Sequence, residues 1–522
     1  MTEQLLEAVI LLALVGLISG LARRLGMLAP FALMLAGIVL SFVPFGPRVG
    51  LDPELVLEGV LPLLLYAAAI RISVPAFTHL LRPIVLLAFG HVWFITIVVG
   101  LALHAVVPAI PLAAAFALGA IVSPPDAVAA TAIARRLGLP RRVVAILEGE
   151  SLINDATALV TLRVAIAAAV GAAETWGEVA AQFAIAAFGG ALIGGVVGVV
   201  AAWLHRRTND PVLDNTLSIL TPFLAFVPAN AAGVSGVVAV VICGLYVGHK
   251  RPLLLRAASR LQMDAFWRVT GFLLEGVLFL VVGLQLRTIV DAVSGSWRTA
   301  GVAAAVVVGV VVIGRFCWVL PGAYVPFLLP PIRRREEPPP VSNVAVVAWA
   351  GMRGAVSLAA VFSLPLGFPS RDLLVWITFV VIAVTLIGQG MMLPWVVRWL
   401  GVRPDDRQAD ILAEAETYQA ALRAAERRLE AEAGDAPRYV VDRLRSLAES
   451  RANRVWERLG DHTREPPSET FARLRLAMLE AERQTFLEAR DAGKIPDEIR
   501  RQVELEQDLE ELMLWQRRDD EG

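Results

Sequence analysis

Three stretches of this 522-residue chain set ionisable and oxygen-bearing side chains into otherwise apolar sequence. The first reads Glu148-Gly-Glu-Ser-Leu-Ile-Asn-Asp-Ala156, inside an apolar run over about 142–170. On a helix, Glu150 and Asn154 are four apart, as are Ser151 and Asp155, so both pairs project toward one broad face. One turn then offers two carboxylates, a hydroxyl and an amide, all oxygen ligands. Hard cations of the sodium kind want such ligands and need neither His nor Cys. Burial favours the protonated form of a carboxylate, and a neighbouring arginine favours the charged form. The two carboxylates can therefore divide their work. We expect Asp155 to exchange a proton for a cation, and Glu150 to be held charged by Arg353, with Arg315 as the alternative partner.

The second kind of signal is an interrupted helix. Ile121-Val-Ser-Pro-Pro-Asp-Ala-Val-Ala129 carries Pro124 and Pro125 in mid-run, which removes two backbone donors and disfavours helix there. Asp126 follows the break directly. Ala350-Gly-Met-Arg-Gly-Ala-Val-Ser-Leu358 sets Gly351 and Gly354 around Arg353. Carbonyls freed at membrane depth persist only where they line a cavity or find a partner. Two broken helices, each holding a charge, are the sequence pointer to a secondary-transporter site.

Those residues must be positioned by a membrane domain. The chain is 57% hydrophobic and 18% charged, with a mean hydropathy of +0.65, far from a soluble composition of about 25% charged. Windows of about 20 apolar residues, the length that crosses hydrocarbon, lie near 4–22, 28–46, 54–70, 83–107, 111–134, 142–170, 178–204, 212–230, 233–248, 266–287, 299–320, 342–365 and 373–399. The expected fold is thus an all-α polytopic membrane protein of 13 transmembrane helices. The breaks fall in the fifth and twelfth spans. With the seventh as a linker, each break sits in the fifth helix of a six-helix half, which gives two inverted six-helix repeats.

The near-neutral net charge of −1 hides a division. Residues 1–402, the transmembrane domain, hold 26 basic and 19 acidic residues; residues 403–522, a helical tail, hold 21 and 29. With the N-terminus outside, the cytoplasmic turns collect nineteen arginines and lysines, Arg23, Arg82, Arg142 and Arg335 among them. The outer turns collect four: Arg48, Arg287, Arg298 and Arg371. That is the positive-inside pattern, and it places the acidic tail in the cytoplasm, where it is expected to dock on the basic collar by charge. The tail reads as solvated helices over 411–432, 438–459, 469–492 and 497–514, interrupted at 461–467 by Pro466 and Pro467. Glu148 and Arg163 read as end-of-helix groups that snorkel or anchor; the place of Glu275 is open. The N-terminus has no basic leader followed by a cleavage site, so no removable signal is expected.

At Glu150-Ser151-Leu-Ile-Asn154-Asp155, Ser-Pro-Pro-Asp126 and Gly351-Met-Arg353-Gly354, the chain resembles the monovalent cation:proton antiporter-1 family, the sodium/proton exchangers. The resemblance implies an inverted-repeat homodimer with a dimerisation domain and a moving core, and a cation bound where the broken helices cross. Carried over, Asp126, Glu150, Ser151 and Asp155 match cation-site or supporting positions, and Arg353 the stabilising arginine. Asn154-Asp155 is the pair that goes with electroneutral exchange in that family. Pro125 stands where many members have Thr, and Ala127 where they often have Pro. The activity the resemblance implies is that of a plasma-membrane antiporter. It would exchange Na+, or Li+ or K+, for protons by competition at Asp155 and so set internal pH and cation content.

Other classes fit less well. A channel would want repeated rings of carbonyls or carboxylates around a pore, and none recurs here. The six histidines (79, 91, 104, 205, 249 and 462) have no metal spacing, so no enzyme and no cofactor is expected beyond the transported Na+ and H+. Cys243 and Cys317 sit in apolar context as small core residues. The charge balance excludes a general nucleic-acid binder; the partners expected are a second copy of the chain and membrane lipid.

Overall fold

In hydrocarbon a helix satisfies its own backbone groups, which open strands and loops do not. Among the described residues of the computed structural model, every regular element is helical. Those residues are 2–44, 50–169, 176–293, 295–334, 336–434, 436–458 and 467–519. Arg48, Arg335 and most of the expected break at 461–467 lie outside them. The chain divides into two compact units, Met1–Arg403 and Pro404–Gly522.

In the first unit the helices follow the apolar runs: α1 (Thr2–Arg24), α2 (Ala29–Ser41), α3 (Leu55–Ala69), α4 (Leu81–Val106), α5 (Leu112–Val122), α6 (Ala127–Arg136), α7 (Arg141–Ala169), α8 (Trp176–Arg207), α9 (Pro211–Ala231), α10 (Gly236–Leu254), α11 (Ala257–Leu284), α12 (Trp297–Tyr324), α13 (Val341–Trp349), α14 (Ala355–Phe362) and α15 (Arg371–Trp399). Among the described residues nine helices are long and apolar enough to cross a membrane. Pro222 and Pro228 do not interrupt α9, as is tolerated in a membrane helix packed among others.

Both predicted breaks are present. The chain leaves helix between α5 and α6, and again between α13 and α14. Three further irregularities are single π-helical turns, at Leu55–Val60, Leu86–His91 and Val384–Gln389, a local widening often met at functional sites.

Two buried apolar clusters hold the unit together. One joins α4, α5, α6, α7 and α12–α15 with α1, α2 and α11 through residues such as Ile95, Leu118, Val311, Leu358 and Ile382. The other joins α3, α8, α9, α10 and the first half of α11 through Tyr66, Phe226, Val240 and Trp267. Helices without side-chain bulk approach closely: Gly37 of α2 meets Gly283 of α11 backbone to backbone.

The second unit consists of α16 (Arg407–Glu432), α17 (Arg438–Glu457), α18 (Pro467–Asp491) and α19 (Asp497–Asp519). The Asp406 carboxylate caps α16 by accepting from the Gln408 and Ala409 amides. Helices α18 and α19 are joined by arginine–carboxylate pairs, Arg475 to Glu510 at 2.7 Å and Arg483 to Glu511 at 2.7 Å.

Candidate functional site

The two breaks meet each other. The Asp126 amide, first after the paired prolines, donates to the Met352 carbonyl at 2.7 Å, so the two unwound segments are stitched by a backbone hydrogen bond. The Asp126 carboxylate caps α6, accepting from the Val128 amide at 2.8 Å. It also lies against Gly354, where any Cβ would collide with it; this is why the second break needs glycine at that position.

Arg353 serves the carbonyls that the first break frees. Its guanidinium, 1% exposed, donates to the Val122 carbonyl at 2.8 Å, to the Ser123 carbonyl at 3.3 Å and to the Gly351 carbonyl. A full positive charge therefore rests on the negative C-terminal end of α5. The Arg353 amide in turn donates to the Thr385 hydroxyl at 3.0 Å, which the π-helical turn of α15 presents. The Pro125 carbonyl, in the unwound segment, accepts from the Asn154 amide group at 2.9 Å.

Glu150 pairs with Arg315 and not with Arg353. Arg315 Nη1 and Nη2 meet Glu150 Oε1 and Oε2 at 2.7 and 2.8 Å, with both side chains 1% exposed. Arg315 further donates to the Val347 carbonyl from Nε at 3.3 Å and Nη2 at 3.2 Å. The expected partner is corrected for a geometric reason. Arg353 has spent its donors on carbonyls at the helix crossing, while Arg315 reaches α7 from α12 in fork-to-fork register.

The turn of α7 thus splits into two faces. Glu150 and Asn154 are buried toward Arg315 and the broken fifth span. Ser151 and Asp155 line a cavity of about 380 Å³ together with Asp126, Glu275, Arg71 and Glu148. Its lining comes from the first break, α6, α7 and α14, and from α3 and α11, including Trp267 and Glu275. Arg135 and Glu148, paired at 2.6 Å, stand at the end where the short turns carry arginine. Asp155 also lines a second, small void of about 10 Å³, together with Pro124, Val356 and Ser357.

Residues 10–399 match the sodium/hydrogen exchanger family, transmembrane part. The chain belongs to that family. An uncharacterized Na+/H+ exchanger of Mycobacterium tuberculosis is 36% identical, over 97% of this chain and 95% of its own length. The Na+/H+ antiporter NhaS2 of Synechocystis is 32% identical over 84% of this chain and 79% of its own. The sodium proton antiporter MjNhaP1 of Methanocaldococcus jannaschii shares the fold, with a TM-score of 0.60 over 75% of this chain and 97% of its own at 17% identity.

Within this exchanger the structure brings together Asp126, Ser151, Asn154, Asp155, Glu150, Arg315 and Arg353 with both pairs of break residues. Arg163 is exposed, in keeping with an anchor. Sequence reasoning passed over Thr385 and Ser357. Hydroxyls in apolar helices carry little signal, because they bond back to their own helix; Thr385 does so to the Val381 carbonyl at 2.7 Å. Glu275, unassigned in the sequence, proves to line the same cavity as Asp126 and Asp155.

Proposed function

We propose that this chain is a secondary active antiporter that exchanges protons for monovalent cations, sodium first among them with lithium and potassium as further candidates. The single observation that carries the reading is Asp155, which lines both a wide cavity and a small void. Asp155, Asp126 and Ser151 supply the cation's oxygens, with Asn154 holding the Pro125 carbonyl beside them. Proton and cation exclude one another at Asp155, one cation moving per proton. The core helices move only when either neutralises the site, since an empty charged carboxylate is costly to carry through hydrocarbon. Glu150–Arg315 and Arg353 act as the scaffold of that core.

Taking α5 with α6, and α13 with α14, as single interrupted spans supports thirteen spans in two inverted repeats, and the arginine-rich turns support an outside N-terminus. In that orientation the cavity opens to the cytoplasm, so the arrangement is an inward-facing state. A bacterial plasma-membrane homodimer that adjusts internal pH and cation content fits the charges of the chain. The small size of the second void at Asp155 favours a carrier over a continuously open channel.

Proteoliposomes loaded with a pH dye test the reading. Wild-type protein should show proton flux driven by a sodium gradient, with apparent cation affinity falling as pH drops; Asp155→Asn should abolish it. Retained exchange in that variant, or an affinity indifferent to pH, would sink the assignment.

A further inference from the structure

A second crevice lies away from the exchange site, between the ends of α4, α7, α12 and α13. It encloses about 80 Å³, with Arg82 and Arg142 among its lining residues and Leu86, Trp318, Phe327 and Asn343 along its walls. The Trp318 indole is held in place by donating to the Leu86 carbonyl at 2.9 Å. Arg82 lies over the Phe327 ring at 5.2 Å and pairs with Glu336 at 2.9 Å. Arg142 is exposed in the first turn of α7, where the helix dipole opposes a cation. Helix stability therefore does not account for it, and an anion beside it would relieve that repulsion. Next to Phe327, Leu328 and Leu329 are 81% and 56% exposed, an apolar edge continuous with the crevice.

We infer that this crevice binds an anionic phospholipid, its phosphate on Arg142 and Arg82 and its acyl chain along Trp318 and Leu86. Basic pockets between transmembrane helices take lipid headgroups of this kind, and an apolar slot beneath two arginines suits a molecule with both characters. The lipid would touch the exchange machinery through one residue. Val347 lines the crevice, and its carbonyl accepts both hydrogen bonds from Arg315, the partner of Glu150. Only the assignment to the cytoplasmic leaflet rests on the proposed topology. Binding measured in detergent involves no transport, so the two readings fail separately.

Native mass spectrometry of the full chain tests the site, with added phosphatidylglycerol, phosphatidylcholine or inorganic phosphate. Phosphatidylglycerol should be retained in preference to phosphatidylcholine, and Arg142→Gln should weaken that retention about fivefold, the scale of one arginine at an anionic lipid surface. Arg142→Lys should restore most of it, and Arg256→Gln, elsewhere on the basic face, should leave it unchanged. Equal retention of the two lipids would overturn the proposal. So would displacement of phosphatidylglycerol by inorganic phosphate at equal concentration, which would mark a free-phosphate site. An equal loss in Arg256→Gln would reduce the effect to general charge and overturn it too. Thermal unfolding without lipid should be the same for wild type and Arg142→Gln, since the side chain is exposed; a lowered midpoint would assign Arg142 to structure and overturn the site.

Discussion

Glu150 and Arg315 form a closed unit: two parallel hydrogen bonds, a carbonyl to absorb the remaining donors, and almost no exposure. Removing one partner from such a pair leaves a bare buried charge, which typically costs about 3–5 kcal/mol. Arg315→Gln should therefore lower the unfolding midpoint sharply in a purified, detergent-solubilised sample. Pairing it with Glu150→Gln should recover part of the loss. If the double variant is no more stable than the single one, the pair is not an isolated unit. Asp155 behaves oppositely: among the described residues no guanidinium pairs with it, it lines an open cavity, and Asp155→Asn should leave the midpoint near wild type while ending exchange.

At the scale of the element, the crossing is built from what prolines and glycines withhold. Pro124 and Pro125 end α5, Arg353 and Asn154 collect carbonyls that the unwound segment leaves without helical partners, and Gly354 leaves room for the Asp126 carboxylate. Gly354→Ala should cost about 1–3 kcal/mol by overpacking and depress exchange, while Gly367→Ala, where a Cβ meets open space, should do neither. A thermal-shift comparison with flux on the same preparations separates the two. The breaks, their charges and most helix bounds were legible in the sequence, because proline, glycine and a membrane-length apolar run each act locally. The partner of Glu150 was not, since Arg315 lies on α12 and Arg353 in the second break, and only packing decides which fork reaches α7. Neither was the split of the Glu150–Asp155 turn. Spacing of four puts Glu150 with Asn154 and Ser151 with Asp155, but neighbouring residues diverge by about 100° around a helix, enough to send one pair into the core and the other to the cavity.

For the whole molecule, the tail's charges behave differently from the membrane unit's. The Arg500 hydrogen bond holds the Asp497 carboxyl below its ordinary value of 3.8. Hydrogen bonds donated to Glu510 and Glu482 raise Arg475 further above its ordinary range, and one donated to Glu511 raises Arg483. A lowered acid stabilises fully above its unfolded value and loses that contribution as pH falls through its folded one; a raised base stabilises fully below its unfolded value and loses it as pH rises through its folded one. Between roughly pH 5 and 11 these networks therefore stay constant. Hydrogen exchange of peptides from Pro467–Asp491 and Asp497–Asp519, corrected for intrinsic rate, should show unchanged protection from about pH 6 to 8. A change in that window would mean that other groups govern the tail.

The unequal spaces that Asp155 lines carry a consequence for solvent. At about 30 Å³ per molecule, a cavity of about 380 Å³ has room for on the order of ten waters, and the small void at Asp155 for almost none. A protein that alternates which side is open must empty one compartment and fill the other in each cycle, so water is a stoichiometric participant in the conformational step. Turnover should then respond to water activity: an osmolyte too large to enter the cavity and confined to its side should hold the closed state and slow exchange, while a small permeating one at equal osmolality should not. Stopped-flow flux with sucrose against glycerol measures that difference.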